Sequence, residues 1–219
     1  MSIARYWWKL AALILLLLSV YYGLTTPIPK DLVLLQTMRN VFFHAPMWFA
    51  MMVMYTISFV YAIKNLNKTT LRNDAYSTSF ARLGVCFNIL GVLTGMLWAR
   101  VTWNTYWNND PKLIGAAVCL LLYLAYFVLR QSVQDEDKKA KIASVYNVFA
   151  YFLVFPCIYI LPGILASSHP GGGGDAAFMV FKMQPTLRLI FYPACIGWIL
   201  VGVWVAQLRA RVHVIQHSY

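Results

Sequence analysis

Apolar residues run through this chain in long stretches, without the strict alternation that marks a half-buried strand. Six stretches approach the roughly 20 residues a helix needs to cross a bilayer. They run from Tyr6 to Leu24, His44 to Ile63, Ser79 to Trp98, Leu113 to Arg130, Ser144 to Gly163 and Leu187 to Gln207. Hydrocarbon offers backbone amides no partner, so unalternating runs of this length must bond internally as helices. The pattern predicts an all-α membrane protein of six transmembrane helices, one domain over residues 1–219. Arg5 and Lys9 near the first stretch resemble a signal peptide, but no small-x-small site follows at Tyr21-Tyr22-Gly23-Leu24, which predicts a retained anchor.

The polar segments between the stretches alternate in character. Lys64 to Thr78 and Gln131 to Lys141 are short and leave no room for a soluble domain. Thr25 to Phe43, Ala99 to Lys112 and Ile164 to Thr186 lie on the opposite side, and any outward-facing site must be assembled from them. Of the 18 Lys and Arg residues, twelve fall on the side that carries the termini and six on the other. Because cytoplasmic loops are enriched in these residues, both termini are expected in the cytoplasm.

Composition agrees with a lipid environment: 61% of the 219 residues are hydrophobic and 11% charged. The net charge of +11 is spread over short loops, and topology explains it without a nucleic-acid partner. Cys86, Cys119, Cys157 and Cys195 fall in four different spans with no Cys-x-x-Cys pair, so they read as small apolar residues. The glycine run Gly171 to Gly174 lacks the Lys-Ser or Lys-Thr of a phosphate loop. Asn88 and Asn147 are expected to hydrogen-bond between helices, and Arg82 to snorkel toward the cytoplasmic end of its span.

Candidate chemistry concentrates in the outer segment Trp98 to Lys112. If helical, Trp103, Tyr106, Trp107 and Asp110 share one face by their i, i+3, i+4, i+7 spacing and build an aromatic platform. An interfacial aromatic belt is the simpler reading of such a loop. The outer side also carries His44, opening the second span, and His169, in the loop after the fifth, one on each side of the platform in sequence. Taken singly, each histidine reads as a helix-terminal or solvated loop residue. Together they suit axial ligation of haem iron, with Trp103, Tyr106 and Trp107 against the macrocycle. Arg100, Lys112, Arg39, Lys182 and Arg188 are then the cations available to propionates, opposed on that side only by Asp31, Asp110 and Asp175. Asp110 is expected to fix Lys112 or the loop. His213 and His217 share an i, i+4 spacing but have no evident third ligand. No paired catalytic carboxylates or Ser/His/Asp arrangement is evident, so binding and transfer are expected rather than turnover.

These residues resemble the CcmC family of cytochrome c maturation, whose hallmark is a Trp-rich loop of the form W-G-T-W-W-x-W-D-x-R-L. Trp103, Thr105, Trp107, Asp110 and Leu113 fall on that pattern, Trp98 on the tryptophan that precedes it, and Lys112 in place of the arginine. Tyr106 keeps an aromatic ring where the family has tryptophan, whereas Asn104 replaces its glycine and Asn109 a further tryptophan. His44-Ala45-Pro46 is similar to the family's His-x-Pro, and His169-Pro170-Gly171 lies where its second loop histidine is expected. The resemblance implies a protein of the bacterial inner membrane that binds haem b as cargo at its periplasmic face. It implies delivery to a CcmE-like haem chaperone, beside a CcmA/CcmB transporter and a CcmD-like small subunit. The alternatives are a CcsA-like component of a cytochrome c haem lyase, or a haem-bearing electron-transfer anchor, which usually places its axial histidines inside the spans.

Overall fold

The computed structural model describes residues 6–28, 35–167, 169 and 183–217. Its helices are α1 (Trp7–Thr25), α2 (Val41–Asn67), α3 (Leu71–Trp103), α4 (Pro111–Ser132), α5 (Glu136–Phe155) and α6 (Pro185–Gln216). A 3₁₀ turn, Leu35–Asn40, leads into α2. A π turn, Pro156–Ile160, and one α-helical turn, Leu161–Ile164, extend α5. By length and composition, six helical segments are able to cross a membrane. The described residues contain no strand.

The helices overrun the apolar stretches at the end where the termini lie. The connection Lys64 to Thr78 shrinks to three residues, because α2 continues to Asn67 and α3 already starts at Leu71. Thr70 stops the turn as an N-cap, its Oγ1 accepting the Asn73 N–H at 3.1 Å, while the Asn65 side-chain Oδ1 accepts the Thr70 N–H. Asp135 caps α5 in the same way, accepting the Lys138 N–H at 2.8 Å, and leaves Gln131 to Lys141 largely helical.

Helix α2 packs along α3 and is flanked by α5 and α6, while α1 lies mainly on α6. Met47, Met51, Met54 and Tyr55 of α2 form the buried centre, and Tyr55 stacks on Tyr123 of α4 at 3.7 Å. Leu10, Leu17, Leu93, Val128 and Leu189 are exposed on the outer surface, as lipid-facing positions require.

Without a hydrophobic drive between helices in lipid, polar contacts join them. Asn147 donates to Ser58 Oγ at 2.7 Å and Ser77 Oγ at 3.0 Å and accepts from Tyr123, which links α2, α3, α4 and α5. Asn88 departs from expectation, since neither of its buried amide atoms has a protein partner. Arg82 lies over the Phe127 ring at 5.3 Å, and Arg130 forms a two-point ion pair with Asp74. Cys119 and Cys195 are buried as expected, whereas Cys86 is exposed on the outside of α3.

Candidate functional site

The end of the bundle opposite the termini holds a cleft of about 300 Å³ between α2, α3, α4 and the π turn. Its walls are largely apolar, with Phe49, Met52, Met96 and Tyr159 among them, and His44, His169, Trp107 and Lys112 reach it too. Two histidines from separate segments therefore share one cavity.

His44 sits in the first turn of α2 and is buried. Its Nδ1 lies 3.0 Å from Thr94 Oγ1, whose own proton is directed to the Leu90 carbonyl at 2.7 Å. Thr94 thus accepts from Nδ1–H, which leaves Nε2 as the basic nitrogen. Trp48 Nε1 donates to that nitrogen at 3.2 Å. The ring also meets the edge of Trp98 at 5.8 Å between centroids. Gly95 of α3 makes this approach possible, because a Cβ there would stand 2.9 Å from His44 Cε1.

His169 is held by a different device. Its Nδ1 lies 3.1 Å from Asp110 Oδ1, its backbone N–H donates to Ser167 Oγ, and Ser167 Oγ donates to Asp110 Oδ2 at 2.9 Å. Asp110 is also the N-cap of α4, accepting the Lys112 N–H at 2.9 Å. One buried carboxylate therefore caps a helix and orients an imidazole from the loop more than fifty residues on. Asp110 thus ties the loop through Ser167 and His169 as well as through the Lys112 backbone N–H. Trp103 stands edge-on to the His169 ring at 5.0 Å.

Burial lowers the His169 pKa, Lys112 pushes the same way, and Asp110 opposes both. The ring stays neutral at neutral pH, with Nδ1–H on Asp110 and Nε2 as its basic nitrogen. The unfolded imidazole, with a pKa near 6.5, takes up a proton at higher pH than the folded one. Stability present above about pH 6.5 is therefore lost as pH falls through the folded value. Thermal unfolding of the unloaded protein between about pH 7.5 and 5.5 should show this loss, and His169→Gln should flatten it.

The helical platform foreseen for Trp103, Tyr106, Trp107 and Asp110 does not form. Helix α3 ends at Trp103 because Asn104 adopts the left-handed conformation, φ 57°. Residues 104–110 then form bends and extended backbone until Pro111 starts α4. Asn is the residue other than glycine that best tolerates this conformation. Asn104 therefore serves the turn at the position where the resemblance has glycine. Breaking the helix separates the aromatics: Trp103 goes to His169, Trp107 to the cleft, and Tyr106 outward beneath the Arg100 guanidinium at 5.6 Å.

Of the cations considered, Lys112 lines the cleft. Arg100 instead donates to the Asn104 carbonyl at 2.6 Å, Arg39 to the Gly23 carbonyl at 3.0 Å and Arg188 to the Met183 carbonyl, each holding a chain turn. Lys30, Asp31, Gly171 to Gly174, Asp175 and Lys182 lie outside the described residues. The His213 and His217 rings lie 4.1 Å apart at a tilt, and the described residues contain no group of three or more side chains suited to hold a metal ion. The sequence reading missed Trp48 and Thr94. The i, i+4 spacing of Trp48 from His44 was a usable signal, whereas nothing local marks Thr94 fifty residues away.

The chain is 32% identical over 143 residues to Heme exporter protein C of Bradyrhizobium diazoefficiens, covering 64% of this chain and 52% of that protein. It is 25% identical over 207 residues to Heme exporter protein C of Paracoccus denitrificans, covering 90% and 80%. A shorter segment is 27% identical over 103 residues to Cytochrome c biogenesis protein CcsA of Welwitschia mirabilis, covering 46% of this chain and 34% of that one. The family model for CcmC, Heme exporter protein C, matches residues 1–218, and the chain belongs to that family.

Proposed function

We propose that this protein holds haem at the outer face of the membrane for cytochrome c maturation and delivers it to a CcmE-like periplasmic chaperone. The observation that carries the proposal is the convergence of His44 and His169 on one cleft, each with Nδ1 engaged and Nε2 as its basic nitrogen. Haem supplies an iron with two axial positions, flat apolar faces and anionic propionates. His44 and His169 take the axial positions, Trp107 and the apolar walls cover the ring, and Lys112 meets a propionate. The excess of Lys and Arg on the side of the termini supports an outward-facing cleft in a bacterial inner membrane. CcmA/CcmB and a CcmD-like subunit are the partners that family membership suggests.

The partial match to CcsA supports a second reading, a haem-lyase component. Mixing the haem-loaded protein with a CcmE-type chaperone and with an apocytochrome c separates the two. The proposal expects haem to move to the chaperone, while direct thioether formation on the apocytochrome would favour the lyase. An introduced cysteine at Thr105 should react with an impermeant reagent in intact cells, and reaction only after permeabilisation would reverse the orientation.

A further inference from the structure

We infer that Trp48 is a latch on His44: its indole N–H occupies the iron-binding nitrogen of the unloaded protein and swings aside when haem enters. The inference rests on the axial role of His44 proposed above and extends it to how the site opens.

The bonding pattern leaves His44 a single basic nitrogen. Thr94 accepts the proton on Nδ1, and Trp48 Nε1 sits 3.2 Å from Nε2 with its N–H directed at the lone pair. An indole N–H only donates, so this contact and an iron–Nε2 bond exclude one another. The rings meet edge-on at 5.9 Å, and both side chains line the cleft. Nor is the contact incidental to packing. Gly91 of α3 leaves the space that the Trp48 ring fills, since a Cβ there would lie 2.8 Å from Trp48 Cζ2. At about 300 Å³, the closed cleft is at the lower end of small-molecule sites, so moving an indole from its wall also enlarges it.

The latch has a physical purpose in a carrier. A buried imidazole nitrogen without a partner is costly, and the Trp48 bond removes that cost while the site is empty. Haem binding must first break the bond, which lowers the apparent affinity by the fraction of molecules with the latch open. When haem leaves, the same N–H returns to Nε2. A site built this way binds haem less tightly than its ligands alone permit, which suits a protein that must hand its cargo on.

Haemin binding to the full chain in lipid nanodiscs tests the latch with two variants acting by different routes. Trp48→Phe removes the donor and keeps an aromatic ring, whereas Gly91→Ala pushes the indole from its seat. Both should bind haemin about fivefold more tightly, the effect of losing one competing hydrogen bond, and both should retain the six-coordinate spectrum. Unchanged or weaker binding by both variants, with the wild-type spectrum retained, overturns the latch while the axial role of His44 stands. A wild-type spectrum that does not change in His44→Ala overturns the inference at its premise, together with that axial role.

Discussion

Replacing His169 by glycine in the haem-loaded protein should convert a six-coordinate spectrum into a five-coordinate one, and adding free imidazole should restore it. His169 comes from a loop and is oriented through Nδ1 by Asp110, so removal of its side chain leaves a gap beside an intact carboxylate. That carboxylate offers added imidazole the same hydrogen bond. His44→Gly should lose its ligand equally but recover less with imidazole, because it is buried and Trp98 and Trp48 flank it. The contrast between the two rescues reads out their environments: one imidazole is held by charge at the mouth, the other by packing in the bundle. Absorption spectra of the purified variants with and without imidazole provide the measurement.

Asp110→Ala should weaken haem binding by about 10- to 100-fold, the usual effect of losing a residue that orients a metal-bound histidine. The same change should lower the stability of the unloaded protein by about 1 kcal/mol for the lost helix cap. The two effects have one cause, because the carboxylate is buried and serves the α4 N-terminus, Ser167 and His169 together. Asp110→Asn keeps an oxygen for the cap but loses the negative charge that holds Nδ1–H. It should regain most of the stability and little of the affinity. Haemin titration and thermal unfolding on the same preparations distinguish these outcomes, and equal recovery of both quantities would show that Asp110 acts through the cap alone.

The bundle was legible because membrane helices must satisfy their own backbones, so a run such as Leu113 to Arg130 has one structural solution. Its ends were less legible. Apolar content marks where lipid stops, whereas caps such as Thr70 and Asp135 decide where a helix stops, several residues further on. The candidate site was legible in composition but not in shape. His44, His169, Trp107 and Lys112 were singled out by residue type and position, and all four line one cleft. The proposed helical face failed at a single backbone angle, the left-handed turn at Asn104, which periodicity does not encode. Thr94 and Ser167 escaped notice because a hydroxyl acquires its role only when another segment of chain arrives beside it. Asn88 shows the converse, a polar residue in a span that faces the Tyr55 hydroxyl of α2 without closing a hydrogen bond of normal geometry to it.

The most direct test of a haem held between two histidines is the low-temperature electron paramagnetic resonance spectrum of the ferric, haem-loaded wild-type protein. Two imidazoles on one iron give a low-spin signal characteristic of bis-histidine ligation, and the proposal that His44 and His169 share the iron predicts that signal. A high-spin signal from a five-coordinate iron, or a low-spin signal that persists unchanged in the His44→Gly, His169→Gly double variant, would contradict it.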